Sequence, residues 1–221
     1  GCAVLLAETL NSRGNFEMEI TLEEVAGLVP VTVIRQSNVT HAEFSAPVIP
    51  VVHDGIAPNT QQASVALGLC ASDIGFDAHE CRIWQGGPSF IYIPLASREA
   101  LSKARIINPA LAEMTVVGKT RSVYTYCRDA TGFSARMFAS NGSYEDPATG
   151  SASTILSAQL LASGDLMDGT NKFALTQGVD MGQPSLIALS IDVKQREIQA
   201  VRIGGNAVRI SQGSLHPPLP R

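Results

Sequence analysis

The chain has 221 residues, of which 45% are hydrophobic and only 16% are charged. This composition supports one or two domains with a buried core and excludes an intrinsically disordered chain. The formal net charge is −4, from 16 Lys and Arg against 20 Asp and Glu, and the basic residues form no cluster, so a nucleic-acid partner is not expected. The longest apolar stretches, such as residues 46–52, are short and carry prolines, so no membrane partner is expected either.

The cysteines and histidines show no metal-binding pattern. Cys2, Cys70, Cys81 and Cys127 form no C-x-x-C pair, and the four histidines are equally scattered. The sequence also lacks a G-x-x-x-x-G-K-[ST] phosphate loop and a dinucleotide fingerprint. These patterns therefore predict no metal site, no phosphate loop and no dinucleotide site. With no secretory signal pattern at the start, a reduced, cytoplasmic protein is expected.

The residue patterns predict many strands and few helices. In chain order we expect a helix over 2–10, strands over 15–21 and 27–35, an extended segment over 42–52, a helix over 61–69, strands over 83–84 and 89–95, a helix over 97–104, strands over 122–127 and 135–138, a flexible turn over 140–143, a helix over 150–163, and strands over 172–177, 185–193, 197–203 and 207–212. Gly204 and Gly205 are predicted to form a hairpin turn between the last two strands. Residues 215–221 contain three prolines and are expected to be a loose end.

The first helix and a weak internal repeat give two further expectations. No N-cap residue stands ahead of the helix over 2–10, so we expect further residues before Gly1. An offset of 155 residues brings Leu6 onto Leu161 and Gly27 onto Gly182, with a similar order of predicted elements in both halves. The repeat predicts two similar α+β lobes with a site in the cleft between them.

Residues 145–153 read E-D-P-A-T-G-S-A-S and carry the clearest chemical signal. Thr149 is a good N-cap residue for the helix that follows, Gly150 allows a ligand to approach the backbone, and Ser151 is small. Free N–H groups at a helix N-terminus favour an anion such as a carboxylate or phosphate. Asp146 then serves as a hydrogen-bond acceptor or proton relay for the same ligand. The alternative interpretation is an ordinary capped helix start.

Two other features allow two interpretations each. Trp84 with residues 86–88 forms either a pocket rim or part of the core. Cys127 is either an epimerase-type thiol or, by the more common pattern, a buried cysteine.

Residues 145–152 resemble the signature of the PhzF-like phenazine-biosynthesis family, which shares the diaminopimelate-epimerase fold. The R-M-F sequence of Arg136 to Phe138 is similar to that family's lead-in to the signature. Gln177-Gly178 and residues 181–185 resemble its Q-G and M-G-R-P-S elements, with Gln183 in place of the more usual arginine, and residues 203–208 resemble its closing strand. The similarity extends over nearly the whole chain.

The resemblance implies an α+β fold of two pseudo-symmetric lobes, each a curved mixed sheet around a central helix. The first lobe is expected to contain residues 1–55 and 208–221, and the second residues 56–207. The resemblance further implies a cofactor-free isomerase that moves a proton on a small carboxylic acid between the lobes, and a homodimer. It assigns Asp146 as the catalytic residue that contacts substrate, and Thr149, Gly150 and Ser151 as substrate-binding residues.

One departure from the family pattern concerns the acid/base group. In the family, the acid/base glutamate and a G-H-P-T turn come before the position that corresponds to Gly1. We therefore expect the general acid/base on a stretch outside this sequence. The alternative is that Glu145 takes over this role. A thiol epimerase would carry a cysteine where this chain has Ser151. The competing functions are a non-catalytic protein that binds a small carboxylate and an inactive, truncated copy on the same scaffold.

Overall fold

The computed structural model describes residues 1–10, 14–25, 27–139, 142 and 144–214. The helices are α1 (Cys2–Leu10), α2 (Thr60–Leu67), α3 (Arg98–Lys103), α4 (Asn108–Val117) and α5 (Gly150–Ser163). The strands are β1 (Phe16–Glu24), β2 (Gly27–Gln36), β3 (Val39–Ser45), β4 (Val51–Val52), β5 (Arg82–Gln85), β6 (Ser89–Pro94), β7 (Ser122–Arg128), β8 (Gly132–Ala139), β9 (Glu145–Asp146), β10 (Gly169–Gln177), β11 (Ser185–Lys194) and β12 (Glu197–Asn206). Among the helices of the described residues, none meets the length and hydropathy that a membrane span requires.

All the strands join one mixed sheet. Its order is β1-β2-β3-β12-β11-β10-β8-β7-β6-β5-β4, and β9 pairs with β8 off this path. The β8–β10 and β6–β7 pairs are parallel and the other pairs are antiparallel. The predicted α+β class is therefore confirmed. The sheet is continuous, and the division into one lobe of residues 1–55 with 208–221 and another of residues 56–207 stays a prediction.

A similar unit of structure occurs twice along the chain. After α1 come the three antiparallel strands β1, β2 and β3, and after α5 come the three antiparallel strands β10, β11 and β12. The two units meet edge to edge, because β3 pairs antiparallel with β12. One unit thus runs from α1 to β3 and the other from α5 to β12, and their last strands pair with each other.

Helix α5 lies in the centre of the largest core cluster. Every residue from Ala152 to Leu160 is buried, so the core encloses this part of the helix on all sides. Gly164 ends the helix in the left-handed conformation, with φ of 85°, which glycine adopts without a steric penalty. The sequence placed both ends of this helix correctly at residues 150 and 163.

Some predictions of local structure are wrong. Gly204 and Gly205 do not form a turn but lie within β12, and residues 207–212 form no strand. The extended segment over 42–52 is divided between β3 and β4, and α4 was not predicted. The predictions for residues 215–221 and, except for Gly142, for the turn over 140–143 lie outside the described residues.

Candidate functional site

The two helix N-termini lie on the wall of one cavity of about 910 Å³. Gly1 and Cys2 line it from α1, and Gly150 and Ser151 line it from α5. The β3–β12 pair forms another part of the wall, which includes Phe44. The cavity therefore lies where the two repeated units meet.

Thr149 occupies the N-cap position of α5, as predicted, but its side chain does not cap the helix. Its hydroxyl instead donates to Oδ2 of Asp146 over 2.6 Å. An N-cap hydroxyl ordinarily accepts from an N–H group of the first turn. Within the described residues, the first-turn N–H groups of Gly150, Ser151 and Ala152 have no protein acceptor. Together with the positive end of the helix dipole, they form an anion-binding geometry.

The buried side chain of Gln177 fixes this arrangement from behind. Its Oε1 accepts the backbone N–H of Thr149 over 3.2 Å, and its Nε2 donates to Oγ1 of Thr149 over 2.9 Å. The same amide nitrogen donates to the backbone carbonyl of Asp146 over 2.6 Å. The side chain of Gln177 on β10 thus bonds to both Asp146 and Thr149 in the segment that precedes α5.

A glycine lets the two loops approach each other. Gly178 has a φ of 79°, and a Cβ there would overlap the carbonyl oxygens of Gln183 and Pro147. Gln177 therefore bonds to the loop that precedes α5, and the missing side chain of Gly178 allows that loop to come close enough.

Glu145 is held by an ion pair. Both of its carboxylate oxygens accept from Arg136, from Nε over 2.8 Å and from Nη2 over 2.9 Å. The same guanidinium donates through Nη1 to the carbonyls of Leu101 and Ala104 at the end of α3. These contacts anchor β9 to α3, and they occupy the carboxylate that was the alternative acid/base.

The structure separates the predicted site residues into two groups. Gly150 and Ser151 line the cavity. Thr149 is 6% exposed, and neither it nor Asp146 is among the lining residues. The carboxylate of Asp146 accepts from Thr149 and, over 3.0 Å, from the hydroxyl of Tyr144. Direct contact between Asp146 and substrate stays a prediction.

Other candidates from the sequence are also placed. Cys127 is fully buried in a second core cluster, and burial raises the pKa of its thiol to about 11. Gly86, Gly87 and Pro88 line the cavity, whereas Trp84 packs against the core and donates to Gln159. The described part of the chain contains no group of three or more His, Cys, Asp and Glu side chains that could hold a metal ion.

Sequence reasoning missed the roles of Gln177 and Phe44. Gln177 appeared only as part of a family motif, and no local pattern indicates that a residue 28 positions after Thr149 bonds to it. Phe44 lies in a strand with no chemical signature, and its ring is 3.8 Å from the position of a Cβ on Gly150. Both contacts depend on the strand order of the sheet.

Comparison with known sequences gives one consistent family. The sequence model of the family described as phenazine biosynthesis-like protein matches residues 1–213. The chain is 33% identical over 223 residues to an uncharacterised isomerase of Mesorhizobium japonicum, covering 97% of this chain and 73% of the relative. It is 27% identical over 218 residues to trans-2,3-dihydro-3-hydroxyanthranilate isomerase of Pseudomonas aeruginosa, covering 98% and 72%.

Solved structures show the same fold. A protein of Pseudomonas aeruginosa described as a predicted epimerase superimposes with a TM-score of 0.74 at 28% identity, covering 93% of this chain and 68% of that chain. A hydroxyproline epimerase of Agrobacterium vitis with bound trans-4-hydroxy-L-proline superimposes with a TM-score of 0.61 at 15% identity, covering 93% and 61%.

Proposed function

Because the chain belongs to the phenazine biosynthesis-like (PhzF) family, we propose that it is an isomerase that moves a proton on a small carboxylic acid without a cofactor. The family match confirms the resemblance that the sequence motifs indicated. Relatives that match most of the chain are named isomerases. The activity, the substrate and the site residues are the parts that we propose.

The observation that carries the proposal is the uncapped N-terminus of α5 in the cavity. The N–H groups of Gly150 and Ser151 bind the substrate carboxylate, and the Ser151 hydroxyl adds a further donor. Hydrogen bonds to a charged group are stronger than those between neutral groups, so this turn determines the orientation of the substrate.

Asp146 and Thr149 complete the binding end of the site. The Asp146 carboxylate holds the Thr149 hydroxyl away from the helix, and it is the acidic side chain next to the bound carboxylate in sequence. We assign Asp146 as the catalytic residue that contacts the substrate during the proton transfer. The resemblance places the general acid/base on a glutamate outside these residues, so the described residues bind and orient the substrate.

The relatives suggest the class of substrate. The name of the Pseudomonas aeruginosa isomerase describes a small cyclic acid that carries an amino and a hydroxyl group. A carboxylate at the α5 N-terminus would place such a ring against the apolar wall that includes Phe44. We propose that the substrate is a cyclic acid of similar size and that the enzyme is a cytoplasmic homodimer.

Solvent hydrogen exchange tests this function. The full-length protein, which includes the stretch ahead of Gly1 that the resemblance predicts to carry the glutamate, is incubated in D₂O with trans-2,3-dihydro-3-hydroxyanthranilate or trans-4-hydroxy-L-proline, and deuterium incorporation at carbon is followed by NMR. We expect incorporation with the wild-type protein and a loss of at least 100-fold with Asp146→Asn, since positioned acid–base groups contribute about 10²–10⁴-fold.

The outcomes separate the competing functions. Exchange that is unchanged in Asp146→Asn overturns the role of Asp146. Carboxylate binding without exchange supports the non-catalytic binding protein, and a chain that neither binds nor exchanges supports the inactive copy.

A further inference from the structure

Gln177 combines full burial with three hydrogen bonds to residues that precede the candidate site. Its side chain is 0% exposed, and it is not among the residues that line the cavity. Its amide contacts the backbone of Thr149, the Thr149 hydroxyl and the Asp146 carbonyl. A substrate in the cavity would therefore not contact Gln177 itself.

The geometry of these bonds explains why the helix stays uncapped. The Thr149 hydroxyl has one proton, which it donates to Asp146, and one of its lone pairs accepts from Gln177. Both contacts turn the hydroxyl away from the first turn of α5. Without them, the same hydroxyl is free to rotate and accept an N–H of that turn, as N-cap threonines commonly do.

We propose that Gln177 is a positioning residue that holds Thr149 and Asp146 in place, so that the first turn of α5 stays open to a carboxylate. This inference rests on the proposed function, because it concerns the same binding turn. It adds a residue that acts through Thr149 and not through contact with substrate.

The amide group is suited to this role and a carboxylate is not. Oε1 must accept from the Thr149 N–H while Nε2 donates to two oxygens. An ionised carboxylate accepts only, so it would face the Asp146 carbonyl with no proton to donate. A protonated carboxyl group both accepts and donates, so it can replace most of the contacts.

The chain offers a matched control in Gln159. This glutamine is also 0% exposed and also both accepts and donates, from Trp84 Nε1 over 2.7 Å and to the carbonyl of Glu80 over 2.9 Å. It lies in α5 but beyond the turn that lines the cavity. Replacing it removes a buried amide without changing the N-cap region.

The experiment measures the affinity of the full chain for benzoate by isothermal titration calorimetry. We expect Gln177→Leu to bind benzoate at least tenfold more weakly than wild type, and Gln159→Leu to stay within twofold of wild type. Equal affinities of the two variants would overturn the inference.

A second variant keeps the test valid if Gln177→Leu fails to fold. We expect Gln177→Glu to bind benzoate within threefold of wild type at pH 5.5, where the introduced buried carboxyl group is protonated, and at least tenfold more weakly at pH 8.5. The same affinity ratio to wild type at both pH values would contradict the positioning role.

Failure of the proposed function gives a different result. A wild-type chain that does not bind benzoate overturns the carboxylate site. The contact between Gln177 and Thr149 is then tested by hydrogen exchange. The Thr149 amide proton should exchange faster in Gln177→Leu than in wild type, and in Gln159→Leu it should exchange at the wild-type rate. Equal exchange rates would overturn the contact itself.

Discussion

At the residue scale, the uncapped N-terminus of α5 depends on where one hydroxyl points. Thr149 was predicted as the N-cap from its residue type, and it does occupy that position. The direction of its side chain is set by Asp146 and Gln177. Residue type alone could therefore predict the start of the helix but not its openness to a ligand.

Gly150 gives a direct test of the binding turn. A Cβ on Gly150 would lie 3.8 Å from the Phe44 ring, an ordinary contact, so Gly150→Ala should keep carboxylate binding within about threefold. The branched side chain of Gly150→Val extends further toward that ring and into the cavity, so binding should fall at least tenfold. Calorimetric titration with benzoate checks both variants. Undiminished affinity of Gly150→Val would refute the site.

The cysteines should differ in reactivity. Burial raises the pKa of the Cys81 thiol to about 12 and that of Cys127 to about 11, whereas Cys2 and Cys70 are exposed. Since the thiolate is the reactive form, iodoacetamide at pH 8 should modify Cys2 and Cys70 and spare the other two. Peptide mass mapping checks this, and rapid modification of Cys127 in the folded chain would contradict its burial.

At the element scale, the sequence predicted those elements whose ends carry a local signal. Helix α5 has Thr149 before it and Gly164 after it, and both of its bounds were correct. Helix α4 was missed because its N-cap position holds Ile107, which has no capping oxygen, and Pro109 reads as a breaker although proline is tolerated in the first turn. Gly204 and Gly205 resemble a turn in sequence, but they are in β12, where a Cβ on Gly204 would lie 2.8 Å from Nε2 of His41.

The loop that follows Gln177 contains two glycines that can be compared. Gly178 and Gly182 both have positive φ, of 79° and 71°, but only a Cβ on Gly178 would overlap its neighbours. Gly182→Ala should lower the free energy of unfolding by about 1 kcal/mol through backbone strain. Gly178→Ala should cost about 1–3 kcal/mol more, because the two loops must separate. Urea denaturation checks the difference, and equal costs would refute the close approach of the loops.

At the scale of the whole molecule, the repeat was visible in the sequence only as an order of elements. The structure shows a helix and three antiparallel strands twice, joined through β3 and β12. The joining pair could not be predicted, because strands far apart in the chain meet there and no local pattern encodes their register. The cavity lies where these two units meet.

A buried histidine should make the stability of the whole chain depend on pH. His79 is 3% exposed, and its ring contacts the Tyr126 hydroxyl over 2.7 Å and the Asp165 carboxylate over 3.0 Å. Burial lowers the pKa of His79 below its usual 6.5, and the nearby Asp165 carboxylate offsets only part of this decrease. The positive charge of Arg128 lowers the pKa of His79 further, and the negative charge of Asp77 raises it.

The sign of the effect follows from proton binding. Below pH 6.5 the unfolded chain binds a proton at this position more readily than the folded chain, so stability falls as pH decreases toward the folded pKa. The expected slope from this group is at most about 1.4 kcal/mol per pH unit. Urea denaturation between pH 7.5 and 5.5 measures it. His79→Gln should be less stable at pH 7.5 but show a shallower slope, and an unchanged slope would contradict the assignment to His79.

Binding of a carboxylate at the first turn of α5 can be observed through the chemical shifts of the amide protons in that turn. The ¹⁵N-labelled chain is titrated with benzoate and, separately, with the neutral isostere benzamide. We expect saturable shifts of the Gly150 and Ser151 amides with benzoate and little change with benzamide. Equal shifts with both compounds, or benzoate shifts confined to residues away from the cavity, would contradict it.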